Sequence, residues 1–448
     1  MNRSNTPNYK MIIITILLLQ SWNITHGANS NRPIPFNQLW QLTQNNSEAI
    51  KASSNLLAAQ EISLARSQRH WLPKLYLQGG YTHTDNPIYS FMGNLGQRSV
   101  TATDFIPAHL NNPDANSYHQ LNINTVLPLY EGGMKEAIKQ ARKHQLNQKK
   151  FEDSAIRVDV YEALAKLYGL SLIARDERGD ISSHLAELNR ILSMYRIGSK
   201  NNPLGHSGLL GLKSLKARLV ALQAANHALN STVTNSITTL SGTPFTIQHI
   251  STATLASFIK QNLGEQQNIN NFNGSYKVLS LQEMAYAANM QKNAEQARFR
   301  PQLALFAQES FNHGDRDTES AYTVGLKLSW QLYNGEDQGA KAEAALKAKA
   351  ASYYSKAKLT QEKMQIERHR QELTALKSGL KQLSSIKHNL TKQVKITHRL
   401  FLNGVINALQ LTEVLSRFLD VTQQIKSTKE RYLSSSIELH RLTSDLNS

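Results

Sequence analysis

Few residues of this chain have types and spacings that could do chemistry. The stretch GHSGL at 205–209 resembles the G-x-S-x-G turn of a nucleophilic serine, but its fifth residue is leucine and no strand precedes it. The 15 histidines are scattered, without carboxylates at metal-ligand spacing, as at His119, His144, His184 and His206. No H-E-x-x-H, P-loop or G-x-G-x-x-G occurs. The sequence therefore predicts no catalytic residue, no metal site and no cofactor, and the protein is not expected to be an enzyme.

The composition narrows the function classes further. The chain contains no cysteine, which excludes disulfides, cysteine-type zinc sites and a cysteine nucleophile. Its formal net charge of +17 over 448 residues would suit a phosphate-bearing partner, either nucleic acid or an anionic membrane surface. The basic residues are spread among acidic and amide residues, however, with no dense run. A solvated helix surface explains the charge better than a specific anionic partner, and no nucleic-acid partner is expected.

The N-terminus has the layout of a secretory signal peptide. Arg3 and Lys10 precede the apolar run MIIITILLL at 11–19, and THGA at 25–28 offers small residues for cleavage. A run of nine residues is well below the roughly 20 that a membrane-spanning helix needs. We expect residues 1–27 to be the signal peptide and the mature protein to be exported. Because no later stretch has the length of a transmembrane helix, any membrane part is expected to consist of strands.

Two junctions far apart in the chain share one pattern. LPLYEGGMKEAIKQAR (127–142) and LSWQLYNGEDQGAKAEA (328–344) each continue an apolar strand with Leu-Tyr, one polar residue, a glycine and a helix rich in Ala and Lys. Glycine permits a tight change of backbone direction, so the pattern indicates a strand-to-helix junction in each half. The junction residues are Tyr130 and Gly132 in the first half, and Tyr333 and Gly335 in the second.

Amphipathic strands precede each junction. Residues 120–127 and 322–331 alternate between apolar and polar side chains, and a further strand is predicted after Pro73 and after Pro301. Such alternation is commonest in soluble sheets with one buried face. It is also the pattern of strands in membrane barrels, which have lipid outside and water inside. The two copies and the signal peptide favour the membrane reading and an internal duplication.

Two long spans without proline predict unusually long helices. Residues 134–197 and 337–402 lack proline and step their apolar residues by three and four, as in coiled coils. At 1.5 Å per residue each span could reach about 95 Å. Both end with an aromatic residue three positions before a glycine that can close the helix. These predicted hairpin tips are Tyr195 with Gly198, and Phe401 with Gly404. Return helices are expected over about 208–240 and 409–442.

The remaining segments complete the predicted domain organisation. Residues 84–117 are polar and rich in Pro and Asn, which predicts a long exposed loop in the first half. Residues 241–275 form a polar connector with one short apolar helix over about 253–263. The chain is therefore divided into a first strand–strand–hairpin repeat at 28–240, the connector at 241–275, and a second repeat at 276–448.

Four strands cannot close a membrane barrel, so several copies must share one. An open sheet edge in lipid leaves backbone groups unpaired at several kcal/mol each. The duplicated LY-x-G junctions, the two aromatic-x-x-Gly tips and the signal peptide together resemble the TolC-type outer membrane efflux proteins, over about residues 30–445. The resemblance implies an α+β membrane protein: a homotrimer with a 12-stranded outer-membrane β-barrel, four strands per chain, continued by a long α-helical barrel in the periplasm.

The resemblance also implies the function and the partners. The trimer would be a passive exit duct in the outer membrane lipid of a Gram-negative bacterium, serving a tripartite efflux or type I secretion system. It would receive substrates from an inner-membrane pump of ABC, RND or MFS type through a periplasmic adaptor protein. The alternative is a periplasmic coiled-coil scaffold or adaptor with a soluble strand domain. Osmotic shock would release such a scaffold.

Some site residues follow from the resemblance one position at a time. Gln410 and Glu413 occupy positions where the family often has acidic residues lining the periplasmic aperture, so three copies of Glu413 would form an anionic ring. The tip residues would contact the adaptor. At the first tip, which is several residues longer than usual, Gly208 replaces the usual acidic residue. A standard adaptor fit is therefore less expected there.

Overall fold

A computed structural model describes residues 33–196, 202–250, 253–264 and 272–444. The predicted signal peptide and the predicted tip glycine Gly198 lie outside these residues. In chain order the elements are α1 (Phe36–Asn46), α2 (Glu48–Ser67), β1 (Lys74–Thr84), α3 (Pro87–Gly96), α4 (Pro107–Asn111), β2 (Asn116–Glu131), α5 (Met134–Met194), α6 (Pro203–Ser241), α7 (Leu255–Asn262), α8 (Tyr276–Ala297), β3 (Gln302–Gly314), β4 (Thr318–Ser329), α9 (Gly335–Leu402) and α10 (Ala408–Thr443), with 3₁₀ turns at Ala102–Phe105 and Ile247–His249.

The four strands form one antiparallel sheet in the order β1-β2-β3-β4. The two halves of the chain meet between β2 and β3, where Tyr118 pairs with Gly314 at one end and Glu131 with Gln302 at the other. The register of this pair shifts near Pro128, which has no N–H to donate to the ladder. β1 and β4 are the two edges of the sheet.

The predicted alternation of side chains is confirmed across the sheet. Residues that share a face through the registers of the three strand pairs are largely apolar on one side and polar on the other. The apolar face includes Leu75, Leu77, Leu121, Ile123, Tyr322, Val324, Leu326 and Leu328, and all of these side chains are exposed in the single chain. The polar face includes Gln78, Gln120, Asn122, Asn124, Gln308, Ser310, Asn312 and Thr323. Glu309 is an acidic exception on the apolar face, opposite Ile123 and Tyr322.

Both predicted helical hairpins are confirmed. α5 has 61 residues and α9 has 68, so their lengths are about 92 and 102 Å. Shorter helices lie along each long one: α2 and α6 pack on α5, α10 packs on α9, and α8 packs on both long helices. Where α6 ends, Asn46 donates a side-chain hydrogen bond to the carbonyl oxygen of Ser241. The 20 residues of α2 and the 39 of α6 together approach the 61 of α5, so the long helix has a partner along its length.

Two apolar clusters hold the helices together. The first lies where α1, α7 and the middle of α5 meet, and the ring of Phe36 packs edge-on against Tyr161, Tyr168 and Phe258. The second lies near the hairpin tips and joins both hairpins through buried leucines such as Leu212 and Leu411. Burial of these side chains removes apolar area from water at about 25 cal/mol per Å². None of the helices in the described ranges combines the length and the apolarity that crossing a membrane requires.

The structure corrects one prediction and refines another. The segment 84–117 is not an irregular loop, because it contains α3, a 3₁₀ turn and α4. Its Asn and Pro residues suggested a loop, but two of them begin a helix. The Asn86 side chain caps α3, and Pro87 occupies the first turn, where it fits a helix. The connector helix predicted at 253–263 is observed as α7, and its residues Leu255, Phe258 and Ile259 join the first cluster.

Candidate functional site

Aromatic side chains surround the end of the sheet from which the long helices depart. Trp71 precedes β1, Tyr130 lies near the end of β2, and Trp330 and Tyr333 follow β4. All four side chains are exposed in the single chain. Amphipathic aromatic rings in such a position are typical of the interface between a bilayer and water. Sequence reasoning identified the two tyrosines as junction residues and missed the two tryptophans.

The first strand-to-helix junction depends on glycine, as predicted. Gly132 and Gly133 have φ values of +65° and +85°, in the left-handed region that other residues rarely adopt. A Cβ atom on Gly132 would lie 2.7 Å from the carbonyl oxygen of Ala297. The side chain of Arg300 stabilises this turn, since its Nη1 donates a hydrogen bond to the carbonyl oxygen of Gly132 over 3.1 Å.

The second junction has a different construction, which corrects the expectation that both glycines act alike. Gly335 is the first residue of α9 and does not have a positive φ. The change of direction is made instead by Asn334, whose side chain accepts a hydrogen bond from the backbone N–H of Glu336 and caps the helix. Asp337 fixes this turn through Asn334 Nδ2 at 2.9 Å and Arg298 Nη1 at 3.1 Å.

The structure brings the two predicted hairpin tips together. The rings of Tyr195 and Phe401 stack with centroids 6.1 Å apart and an interplanar angle of 5°. The Tyr195 hydroxyl donates a hydrogen bond to the carbonyl oxygen of Gly205, over 2.8 Å, and so ties the end of α5 to the start of α6. These two aromatic residues therefore couple the end of the first hairpin to that of the second.

Gly404 closes α9 in the manner that the sequence predicts. Its φ of +72° is left-handed, and its N–H donates to the carbonyl oxygen of Phe401. The N–H of Val405 donates to the carbonyl oxygen of Leu400, which completes the two hydrogen bonds of a Schellman motif. Val405 is exposed at the tip.

Gly208 lies between the two hairpins, which explains why an acidic residue is absent there. It is buried, and a Cβ atom at this position would come within 2.5 Å of the Cβ atom of Ala408 and 3.2 Å of the Tyr195 hydroxyl. The first turns of α6 and α10 therefore approach more closely than two ordinary side chains would permit. Packing, not contact with an outside partner, requires glycine at this position.

Gln410 and Glu413 lie on the exposed side of the first turns of α10. The Gln410 side chain accepts from the backbone N–H of Asn407, and Asn407 in turn caps Gln410 N–H, so Gln410 belongs to a capping box. Glu413 accepts from Arg417, one helical turn later, and both side chains are largely exposed. Each carboxylate of the expected anionic ring thus has a cation beside it.

Sequence reasoning missed a set of buried polar residues between the helices. Glu177 is 4 % exposed and joins three helices, through Asn226 Nδ2 at 2.9 Å and Lys426 Nζ at 2.8 Å. Glu162 and His440 approach each other within 3.4 Å, and burial raises the pKa of Glu162 to about 9 and lowers that of His440 to about 4. In sequence they resemble ordinary helix-surface residues.

The histidines and carboxylates do not form a metal site in the described parts of the chain. No group of three or more potential ligands among the described residues is arranged to hold an ion. His144 Nδ1 pairs with Glu283 Oε2 at 2.8 Å, and the ring of His184 packs against Phe418. His119 lies between the rings of Tyr81 and His313 on the sheet.

Comparisons with known proteins agree with this architecture. Residues 278–444 match the family model of the outer membrane efflux proteins. No curated protein sequence matches the chain. Among solved structures, the outer membrane protein VceC of Vibrio cholerae has a TM-score of 0.73 at 16% identity, over 90% of this chain and 94% of that one.

Two further solved structures give the same result. CusC has a TM-score of 0.72 at 12% identity, over 90% of both chains. The CmeC outer membrane channel of Campylobacter jejuni has a TM-score of 0.71 at 13% identity, over 91% of this chain and 84% of that chain. At such identities the likeness establishes the fold, which the sequence predicted.

Proposed function

We propose that this chain, a member of the outer membrane efflux protein family, forms a passive exit duct through the outer membrane and into the periplasm. The observation that carries the proposal is the four-stranded sheet with two open edges and one exposed apolar face, continued by two long helical hairpins. A soluble sheet would bury its apolar face against another layer. Here the alternate residues of β4, from Tyr322 to Leu328, remain exposed.

The open edges support a shared barrel. β1 and β4 present unpaired backbone groups, which cost several kcal/mol each in lipid and are satisfied when β4 of one copy pairs with β1 of the next. Three chains supply twelve strands, the trimeric arrangement of the family. The hairpins, about 100 Å long, extend this barrel as a tunnel through the periplasm. The apolar sheet face contacts lipid, and the polar face lines the water-filled bore.

The periplasmic end of the tunnel is the place of gating and of partner contact. Glu413 and Gln410 line the aperture in our proposal, and the tips around Tyr195, Gly198, Phe401 and Gly404 contact a periplasmic adaptor. The exposure of Glu413 and Gln410 and the stacked tip aromatics support this assignment. The duct has no P-loop of its own, so transport is driven by an inner-membrane pump of ABC, RND or MFS type.

The division of the chain is part of the same proposal. The signal peptide at 1–27 directs export, the repeats at 28–240 and 276–448 each supply two strands and one hairpin, and the connector at 241–275 lies beside the middle of the tunnel. Packing of α7 against the middle of α5 supports the last assignment.

The test is the detergent-corrected mass of protein extracted from outer membranes, measured by light scattering and followed by conductance in planar bilayers. Three chains per particle and stable single-channel currents are expected. Glu413→Gln should lower cation preference, measured as a reversal potential in a salt gradient, whereas Glu61→Gln on α2 serves as the matched control. A monomer released by osmotic shock would refute the duct and leave the periplasmic scaffold as the better reading.

A further inference from the structure

The helix α3, in the connection between β1 and β2, has its polar and apolar faces the opposite way round from a surface helix. Ser90, Asn94 and Gln97 at one face are 1%, 6% and 1% exposed. Its apolar residues are exposed by half or more of their area: Ile88, Tyr89, Met92 and Leu95. A helix that faced only water beyond the sheet would have the reverse pattern. The exposed apolar face therefore needs a covering partner.

Contacts with the sheet show on which side α3 lies. A Cβ atom on Gly93 would overlap the ring of Tyr118, and one on Gly96 would lie 3.4 Å from Asn312. By the strand register, Tyr118 and Asn312 share the polar face of the sheet with Asn122. α3 thus packs closely against the polar face, at the end of the strands remote from the long helices. In the duct this is the inner side of the barrel at its outer mouth.

Side-chain contacts hold α3 in this position. The Tyr118 hydroxyl donates to the carbonyl oxygen of Ser90 over 2.8 Å. Gln97 Oε1 accepts from the backbone N–H groups of Arg316 and Asp317 in the β3–β4 turn. Arg316 also makes a bidentate ion pair with Asp104, at 2.7 and 2.8 Å. Contacts from strand β2 and from the β3–β4 turn therefore fix the direction in which the apolar face points.

The dimensions of a twelve-stranded barrel determine what that face meets. Strands about 4.8 Å apart and tilted by about 40° give a backbone diameter near 24 Å. Three helices, each about 10 Å across, fill a circle of about 22 Å when they pack as a triangle. Helices that stand on the inner wall must then touch one another at the centre. α3 has no charged residue, so three copies meet without like-charge repulsion.

We propose that the apolar face of α3 contacts the same face of two other copies of this chain and closes the outer mouth of the duct with a three-helix apolar plug. This inference rests on the proposed function, because it needs the shared barrel. It places a second barrier opposite the periplasmic aperture. Cargo must separate Ile88, Met92 and Leu95 of neighbouring copies, or displace whole helices from the wall, in order to leave.

The chain contains no cysteine, so a single introduced thiol can report this contact. Met92→Cys should form an intermolecular disulfide on mild oxidation of the purified protein, seen as a dimer band on a non-reducing gel. Disulfides require Cα atoms within about 7 Å. Tyr322→Cys is the matched control, because its side chain is at least as exposed as that of Met92 but copies on the outer face of the barrel lie far apart. It should give no dimer.

A second variant reads out the barrier itself. Ile88→Ser, Met92→Ser and Leu95→Ser combined should raise single-channel conductance several-fold, with the mass of three chains unchanged. A conducting trimer in which neither Met92→Cys nor Leu95→Cys forms a dimer, and in which the triple variant conducts like the parent, would overturn the plug and leave the duct intact. A non-conducting monomer would overturn both proposals.

Discussion

Replacement of Gly208 by alanine tests whether close packing of the two hairpin tips controls the periplasmic mouth. The new Cβ atom would lie 2.5 Å from the Cβ atom of Ala408, against about 3.5–4.0 Å for a normal carbon contact. Alanine has no rotamer to change, so α6 and α10 must separate by about 1 Å. The stack of Tyr195 on Phe401 lies in the same contact region and is expected to loosen with them.

The magnitude follows from the cost of overpacking. Forced separation in a packed site typically costs about 1–3 kcal/mol. If the whole of this cost falls on the state with the tips together, the balance between closed and open mouths shifts by about 5- to 150-fold. We expect Gly208→Ala to raise the open probability in planar bilayers, with trimer mass unchanged.

Two further variants separate this effect from a general loss of stability. Gly179→Ala places a Cβ atom in open space on α5, so conductance should stay at the parent level. Ala408→Gly combined with Gly208→Ala removes the overlap and should restore closure. The reasoning is refuted if Gly208→Ala has the same open probability as Gly179→Ala, or if adding Ala408→Gly to Gly208→Ala does not lower the open probability.

Three further predictions concern the junction, the helix core and the outer mouth. Gly132→Ala should destabilise the trimer by about 1–3 kcal/mol, because the residue has a φ of +65° and no space for a Cβ atom. Gly335→Ala should be nearly neutral, and equal melting temperatures of the two variants would contradict this prediction. Glu162→Gln removes a buried carboxyl whose pKa is raised from 4.5 to about 9, so the parent should lose stability relative to the variant as pH rises across that window. Melting temperatures of parent and variant that change with pH in parallel would argue against it. Arg316→Ala should expose the segment around α3 to limited proteolysis near neutral pH. Since Arg316 holds the pKa of Asp104 well below its usual value of 3.8, acidification to pH ~3 should leave the parent as resistant as at neutral pH, and faster cleavage of the parent there would count against this tether.

Local features of the sequence were enough to predict most elements of this fold. Alternation with period two identified the second strand of each pair, β2 and β4, and Pro73 and Pro301 marked where the other two strands begin. Absence of proline over long spans identified the hairpins within a few residues of their observed ends. The role of Gly404 in ending α9 could be predicted, because a left-handed helix end depends on the residue itself and its nearest neighbours.

Features that depend on contacts between distant segments could not be predicted from the sequence. Gly132 and Gly335 occupy matching places in the two repeats, yet only the first has a left-handed backbone, because Asn334 and Asp337 cap the second junction. In the sequence, Gly208 stands where an acidic residue was expected. The structure explains the glycine by its close contact with Ala408, two hundred positions away in the chain. Buried polar pairs such as Glu162 with His440 have no sequence signature, since each residue alone fits an exposed helix.

The outer connection shows the same limit most clearly. Its polar and proline-rich composition predicted a loop, because composition reports only whether a segment is compatible with water. Sequence could not show that Ser90 and Asn94 face a polar strand surface, which leaves Ile88 and Met92 pointing away from the sheet. Local periodicity determined where strands and long helices form in this chain. The tertiary structure alone decided which of their faces are covered, because burial depends on what the rest of the chain places opposite.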